Sequence, residues 1–63
     1  MNKKYALHYT ECEMEHVTMS NNKSILIEIA RKHNEPATVC ETRDGYILYE
    51  NKAQKKVNKS MWG

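Results

Sequence analysis

The sequence predicts a small α+β domain in which an antiparallel sheet of about four strands, arranged ββαββ along the chain, carries one helix on one face. Three observations predict it: alternating apolar residues near the N-terminus, a capped central segment with helical spacing, and an Asp-Gly pair between two alternating segments. The 63 residues leave room for one domain. We expect a compact unit over residues 1–51, followed by a basic C-terminal tail or short helix over 52–63.

Two short strands are predicted before residue 20. The stretch KKYALHYT alternates apolar and polar residues at the two-residue period of a half-buried strand, and EHVTM continues the same pattern further on. Between them the apolar phase shifts to Cys12 and Met14, which one flat strand cannot accommodate. We therefore expect a turn or bulge within residues 10–15.

The central segment SNNKSILIEIARKHNEP has two interpretations. Its isoleucines alternate as in a strand, whereas Leu26, Ala30 and His33 recur at helical spacing. Available Asn and Ser caps at the start, cations at the end and the following Pro36 favour a helix. The alternative is an all-β meander with this segment as a strand.

A β-hairpin is predicted from about Ala37 to Glu50. Asp44-Gly45 can adopt the positive φ values of a tight type I′ turn, and both flanking segments alternate. The overlapping segment IARKHNEPATV resembles the helix-turn-helix of bacterial repressors, which implies a second helix beginning at Thr38 and a wing in YILYENK. Its spacing is one residue shorter than usual and Glu35 replaces an apolar turn residue, so no site residues are taken from it.

Neither a metal centre nor an enzyme active site is predicted. His8, Cys12 and His16 are four residues apart, but positions 8 and 16 would lie about 26 Å apart on a strand and about 12 Å apart on a helix, too far to share one ion. The chain has no glycine-rich phosphate loop. A nucleophile system can be imagined from Cys40, but so small a core can hardly form the pocket it needs. We expect no cofactor.

Charge and composition suggest a cellular context. Residues 1–50 carry a net charge of −2 and residues 51–63 a net charge of +4. The N-terminus has no apolar segment typical of a secretion signal, and the longest apolar run is ILI, so we expect a cytoplasmic protein without a membrane span. Eight lysines against two arginines, with six asparagines, are typical of an AT-rich genome such as that of a low-GC bacterium or its phages.

By elimination, the sequence predicts a non-enzymatic interaction protein that binds and modulates another protein, with self-association into a homodimer as a further possibility. One helix covers one sheet face, so a tyrosine on the other face, together with a terminal indole, would form the contact surface. Lysines of the C-terminal segment would steer an acidic partner or, alternatively, bind nucleic acid weakly and without sequence specificity. The candidate partner-binding residues are Tyr46, Tyr49, Trp62, Lys52, Lys55, Lys56 and Lys59.

Overall fold

The fold is α+β, as the sequence predicts. The computed structural model describes the backbone of residues 3–62 and the side chains of residues 3–60. The alternative all-β meander is wrong, because the ambiguous central segment is helical. In chain order the elements are β1 (Tyr5–Glu11), β2 (Met14–Ser20), α1 (Lys23–Lys32), β3 (Ala37–Glu41), β4 (Ile47–Glu50) and α2 (Lys52–Trp62).

The four strands form one antiparallel sheet in the order β2-β1-β3-β4. The central strand β1 pairs on both sides, so that Leu7 lies opposite Thr18 of β2 and Val39 of β3. The second helix implied by the helix-turn-helix resemblance is therefore wrong: Thr38 and Val39 are strand residues. Period-two alternation in this segment outweighs its superficial motif.

Helix α1 covers one face of the sheet. Leu26 and Ala30 are one helical turn apart and are both buried, where they pack on Leu7, Ala37 and Val39 of the two central strands. Truncating a buried leucine or isoleucine to alanine typically costs about 2–5 kcal/mol. A single such change would therefore remove much of the stability expected for a core this small, about 3–5 kcal/mol.

The ends of α1 follow the capping signals in the sequence. The side chain of Asn22 accepts a hydrogen bond from the backbone N–H of Ser24 at 3.0 Å and caps the N-terminus. At the other end, the Glu28 carboxylate pairs with Arg31 at 2.7 Å and Lys32 at 3.3 Å. Hydrogen bonding to these cations lowers the pKa of Glu28.

The turn of the first hairpin lies within residues 10–15 as predicted, whereas the turn of the second differs from the prediction. The hairpin over Ala37–Glu50 is confirmed, but its tight type I′ turn is wrong: only Gly45, with φ +75°, has a positive φ there. The Asp44 side chain instead accepts the N–H of Tyr46 at 3.0 Å, which closes a wider loop. The positive φ pair lies in the first hairpin, at Cys12 (53°) and Glu13 (67°).

Asn51 joins four parts of the fold and is the buried polar residue of the described chain, at 3% exposure. Its Oδ1 accepts the N–H of Ala37 at 3.1 Å and that of Gln54 at 2.9 Å, so it caps α2 while tying it to β3. Its Nδ2 donates to the carbonyl oxygens of Ala30, His33 and Glu35 at 3.1, 3.3 and 2.8 Å. The end of α1 and the start of α2 are thus held by one side chain.

Candidate functional site

The sheet face opposite α1 carries a continuous apolar row. Strand register places Met19, Ala6, Cys40 and Ile47 side by side across all four strands. The two inner residues are less exposed: Ala6 is only 2% exposed and Cys40 is half-buried. The two outer ones are each 54% exposed. The row therefore presents its apolar surface mainly at its two ends.

The next row on the same face is polar except for Val17, and it is partly covered. It runs from Val17 through His8 and Thr38 to Glu50. The side chain of Asn58, in α2, donates to the Glu50 carboxylate at 2.7 Å and accepts from Gln54 at 2.9 Å. Helix α2 thus lies against this end of the sheet face opposite α1, which we call the open face.

A cleft with a mostly cationic rim adjoins the Met19 end of the row. It lies between the start of β1 and the loop after β3, and Thr42 connects the two by donating its hydroxyl to the backbone oxygen of Lys3 at 2.6 Å. An apolar wall beside basic side chains is suited to a segment that carries both apolar and acidic residues. The cleft is lined by Lys3, Lys4, Tyr5, Met19, Glu41, Thr42 and Arg43.

The structure separates the two candidate tyrosines. Tyr46 lies just before β4 and is 65% exposed, next to the Ile47 end of the apolar row. Tyr49 lies opposite Val39 and packs against the core on the face that α1 covers. The pairing of β3 with β4 shifts register between Val39 and Cys40. Simple alternation of side chains along β4 therefore does not predict which face each residue lies on.

The C-terminal segment forms helix α2, and its lysines share one side of it. Lys52, Lys55, Lys56 and Lys59 are all exposed and fall within an arc of about 100° on a helix of 3.6 residues per turn. Gln54, which points toward the sheet, lies on roughly the opposite side. The side chain of Trp62 lies outside the described residues.

The histidines and cysteines do not assemble a metal site. His16 stacks on Tyr9 with ring centroids 5.2 Å apart, whereas His8 follows the opposite alternation and lies on the open face. Residues 3–60 contain no group of three or more His, Cys, Asp or Glu side chains that could hold a metal ion. Cys12 and Cys40 are both free thiols, and burial raises the pKa of Cys40.

Two features of this region were not predicted from the sequence. The apolar row joins residues from four strands, so only the cross-strand register reveals it. The role of Asn51 was also missed, although an Asn followed three residues later by Gln54 is a recognisable helix N-terminal signal.

No protein-family model, curated protein or solved structure matches the chain. Neither helix of the described chain is long and apolar enough to cross a membrane.

Proposed function

We propose that this chain is a non-enzymatic binding module that modulates another protein, and that the partner docks on the open sheet face. The observation that supports the proposal is the exposure at the two ends of the apolar row, where Met19 and Ile47 are half exposed, with Tyr46 exposed beside Ile47. Such residues are enriched at the centres of protein interfaces. Fully burying one large apolar side chain contributes about 1.5–3 kcal/mol, so each half-exposed one could add about 1 kcal/mol.

Charge supports a partner segment that is both apolar and acidic. Lys3, Lys4 and Arg43, with one acidic residue, Glu41, line the cleft at one end of the row, and α2 adds four exposed lysines. These cations would accelerate association with an acidic partner, and the acceleration would decrease as salt screens it.

The test is capture from lysate of a low-GC bacterium with the parent chain and two charge-insertion variants. Ile47→Lys places an ammonium in the apolar row, whereas Met14→Lys places one on an equally accessible apolar residue at the tip of the first hairpin. We expect a partner retained by the parent and by Met14→Lys but lost by Ile47→Lys. Retention by all three folded proteins, or loss by both variants, would show that this face is not the docking surface.

A second candidate function is nonspecific nucleic-acid binding through α2. It is favoured by the placement of four exposed lysines on one side of the helix, away from the sheet. Such a stripe can follow a phosphate backbone but cannot read bases. If all four lysines contact phosphates, the logarithm of the binding constant should fall with the logarithm of salt with a slope of about −3.6 for duplex DNA.

A fluorescence anisotropy titration with unrelated DNA and RNA at several salt concentrations tests this candidate. The variant replaces the four α2 lysines with Gln, and its matched control replaces the other four, Lys3, Lys4, Lys23 and Lys32. Binding that disappears in the first variant and persists in the control supports the function. Equal losses in both variants would show that only net charge matters.

The cellular setting remains part of the proposal. We place the protein in the cytoplasm of a low-GC bacterium, as an accessory protein encoded by a phage or mobile element. Lysine-rich, asparagine-rich composition supports this origin. The small size of the domain, which leaves little room for an enclosed pocket, supports a role through binding rather than catalysis.

A further inference from the structure

Strand β2 forms a long, regular free edge of the sheet. It pairs with β1 over seven residues without a shift in register, and the sheet order places nothing on its other side. The two-residue turn at Cys12 and Glu13 is closed by hydrogen bonding between its flanking residues, Glu11 and Met14. Alternation from that pair directs the backbone N–H and C=O groups of Glu15, Val17 and Met19 outward.

Most devices that protect a sheet edge are absent from β2, in which Glu15 is the one acidic side chain. Proteins block edge pairing with lysine, proline, a bulge or a covering segment. Residues 14–20 contain neither lysine nor proline, and the ladder to β1 has no bulge. The other edge strand, β4, is only four residues long, pairs through a shifted register and leads directly into α2. The two edges are therefore not equivalent.

Exposed apolar side chains flank this free edge on both faces. Val17 and Met19 are 53% and 54% exposed on the open face. On the other face, Ile25 and Ile29 of α1 are 53% and 44% exposed.

Helix geometry directs those two isoleucines toward β2. They lie on one flank of the buried Leu26 stripe, and Arg31 lies on the other flank, where it lines a cavity with Tyr49 of β4. The flank that carries Ile25 and Ile29 therefore faces the β2 side of the sheet.

We propose that a second copy of this chain pairs with β2 in antiparallel fashion, about a two-fold axis perpendicular to the sheet. The eight strands then form one continuous sheet, and the Ile25 and Ile29 flanks of the two α1 helices face each other on the same side. The proposal does not depend on the proposed function, because Ile47 and Tyr46 lie at the other edge of the sheet, in and beside β4, and remain accessible when β2 is paired.

Side-chain chemistry selects the register. Centring the pairing on Val17 sets Glu15 opposite Met19, and centring it on His16 sets Glu15 opposite Val17. Centring it on Thr18 sets Val17 opposite Met19 twice and moves Glu15 next to Asn21 of the second copy. Of these three registers, only the Thr18-centred one pairs Val17 with Met19 and leaves the carboxylate outside the apolar pairs.

Charge selects the antiparallel orientation. The hairpin tip is acidic, with Glu11, Glu13 and Glu15, whereas the opposite end of β2 is flanked by Lys23 and by Lys4, whose N–H donates to Asn21 at 3.0 Å. Antiparallel pairing brings the acidic tip of each copy beside the basic end of the other. Parallel pairing would place the two acidic tips together.

Sedimentation equilibrium of the parent chain across micromolar to millimolar concentration tests dimer formation. We expect a reversible dimer. Val17→Pro should raise its dissociation constant at least ten-fold while leaving the monomer folded, because the N–H of Val17 points away from β1. If that variant does not fold, the same sedimentation measurement is made on Val17→Lys, which retains the backbone N–H, and the same increase in dissociation constant is expected. A monomer at all concentrations for the parent, or an unchanged dimer in the folded variant, would overturn the proposal.

Disulfide trapping tests the register. In a background of Cys12→Asn and Cys40→Ala, Thr18→Cys places two thiols directly opposite each other across the two-fold axis, at a spacing that a disulfide can bridge. His16→Cys is the matched control on the same face of the same strand. Mild oxidation should give a covalent dimer at position 18 and little at 16. Equal trapping at both positions, preferential trapping at 16, or none at 18 would contradict the register. A monomeric chain that still captured its partner through Ile47 would leave the proposed function intact.

Discussion

Replacing Asn51 with alanine should destabilise the fold by about 2–4 kcal/mol. The variant leaves the N–H of Ala37 without its 3.1 Å acceptor in a fully buried position, which costs about 1–3 kcal/mol. It also removes the cap at Gln54, which costs about 1 kcal/mol. The carbonyl of Ala30 still accepts the N–H of His33 at 3.2 Å, so we add nothing for it.

This loss is comparable with the whole stability expected of so small a core, about 3–5 kcal/mol. Urea unfolding followed by circular dichroism measures it, with Asn34→Ala as an exposed asparagine control that should change stability by less than about 0.5 kcal/mol. Similar small effects in both variants would refute the assignment of Asn51 as the residue that joins α1, β3 and α2.

Asn51→Asp separates the two functions of the amide. It keeps the oxygen that caps α2 but turns a second oxygen toward the carbonyls of Ala30, His33 and Glu35. Those oxygens disfavour the ionised form, so the introduced carboxyl should have a raised pKa in the folded state. Because the folded state then binds the proton more tightly than the unfolded chain, stability should increase as pH falls through that raised pKa. A variant equally stable at neutral and acidic pH, relative to the parent, would contradict this arrangement.

Three further changes test local features. Cys12 is exposed in its turn and should react with iodoacetamide faster than Cys40, because burial raises the pKa of Cys40. Mass spectrometry of the Cys12→Ser and Cys40→Ser variants measures the reaction rate of the remaining thiol. A faster reaction at Cys40 would contradict its burial. Asn22→Ala should lower the free energy of unfolding by about 1 kcal/mol, because it removes the N-terminal cap of α1. An unchanged urea unfolding curve would show that this cap does not stabilise the helix. Gly45→Ala should lower the free energy of unfolding by about 1–2 kcal/mol, because alanine is strained at a φ of +75°. The loss comes from the backbone alone, since nothing lies within 4 Å of an added Cβ. A rise in melting temperature would contradict this strain.

The sequence predicts the elements of this fold better than their geometry. Alternation correctly indicated two N-terminal strands and the second hairpin, and the Asn22 and Pro36 signals correctly indicated α1. The turn expected within residues 10–15 is present at Cys12 and Glu13, but its positive φ pair was not expected, because neither residue favours that conformation and strand register imposes it. The tight type I′ turn expected at Asp44-Gly45 is wrong, because only Gly45 has a positive φ there.

The candidate site was predictable only in its general character. The sequence indicated a basic C-terminal segment, and that segment forms helix α2 with its lysines on one side. The sequence also led us to expect a sheet face without a helix, whereas α2 packs against part of that face. The sequence could not indicate the row from Met19 to Ile47, because that row depends on which residues of four separate strands lie opposite one another. The register shift between Val39 and Cys40 also changes which residues of β4 face the core. No local sequence pattern predicts this shift.

Substitutions in the turn at Cys12 and Glu13 should raise the thermodynamic stability of the protein. Left-handed backbone costs an ordinary L-residue about 1–2 kcal/mol, and this turn holds two of them in succession. Asn-Gly at these positions suits the same conformation without that strain. A chain with this pair should therefore keep its native sheet with a wider stability margin. It would be the parent in which the Asn51 variants remain folded enough for their local effects to be measured.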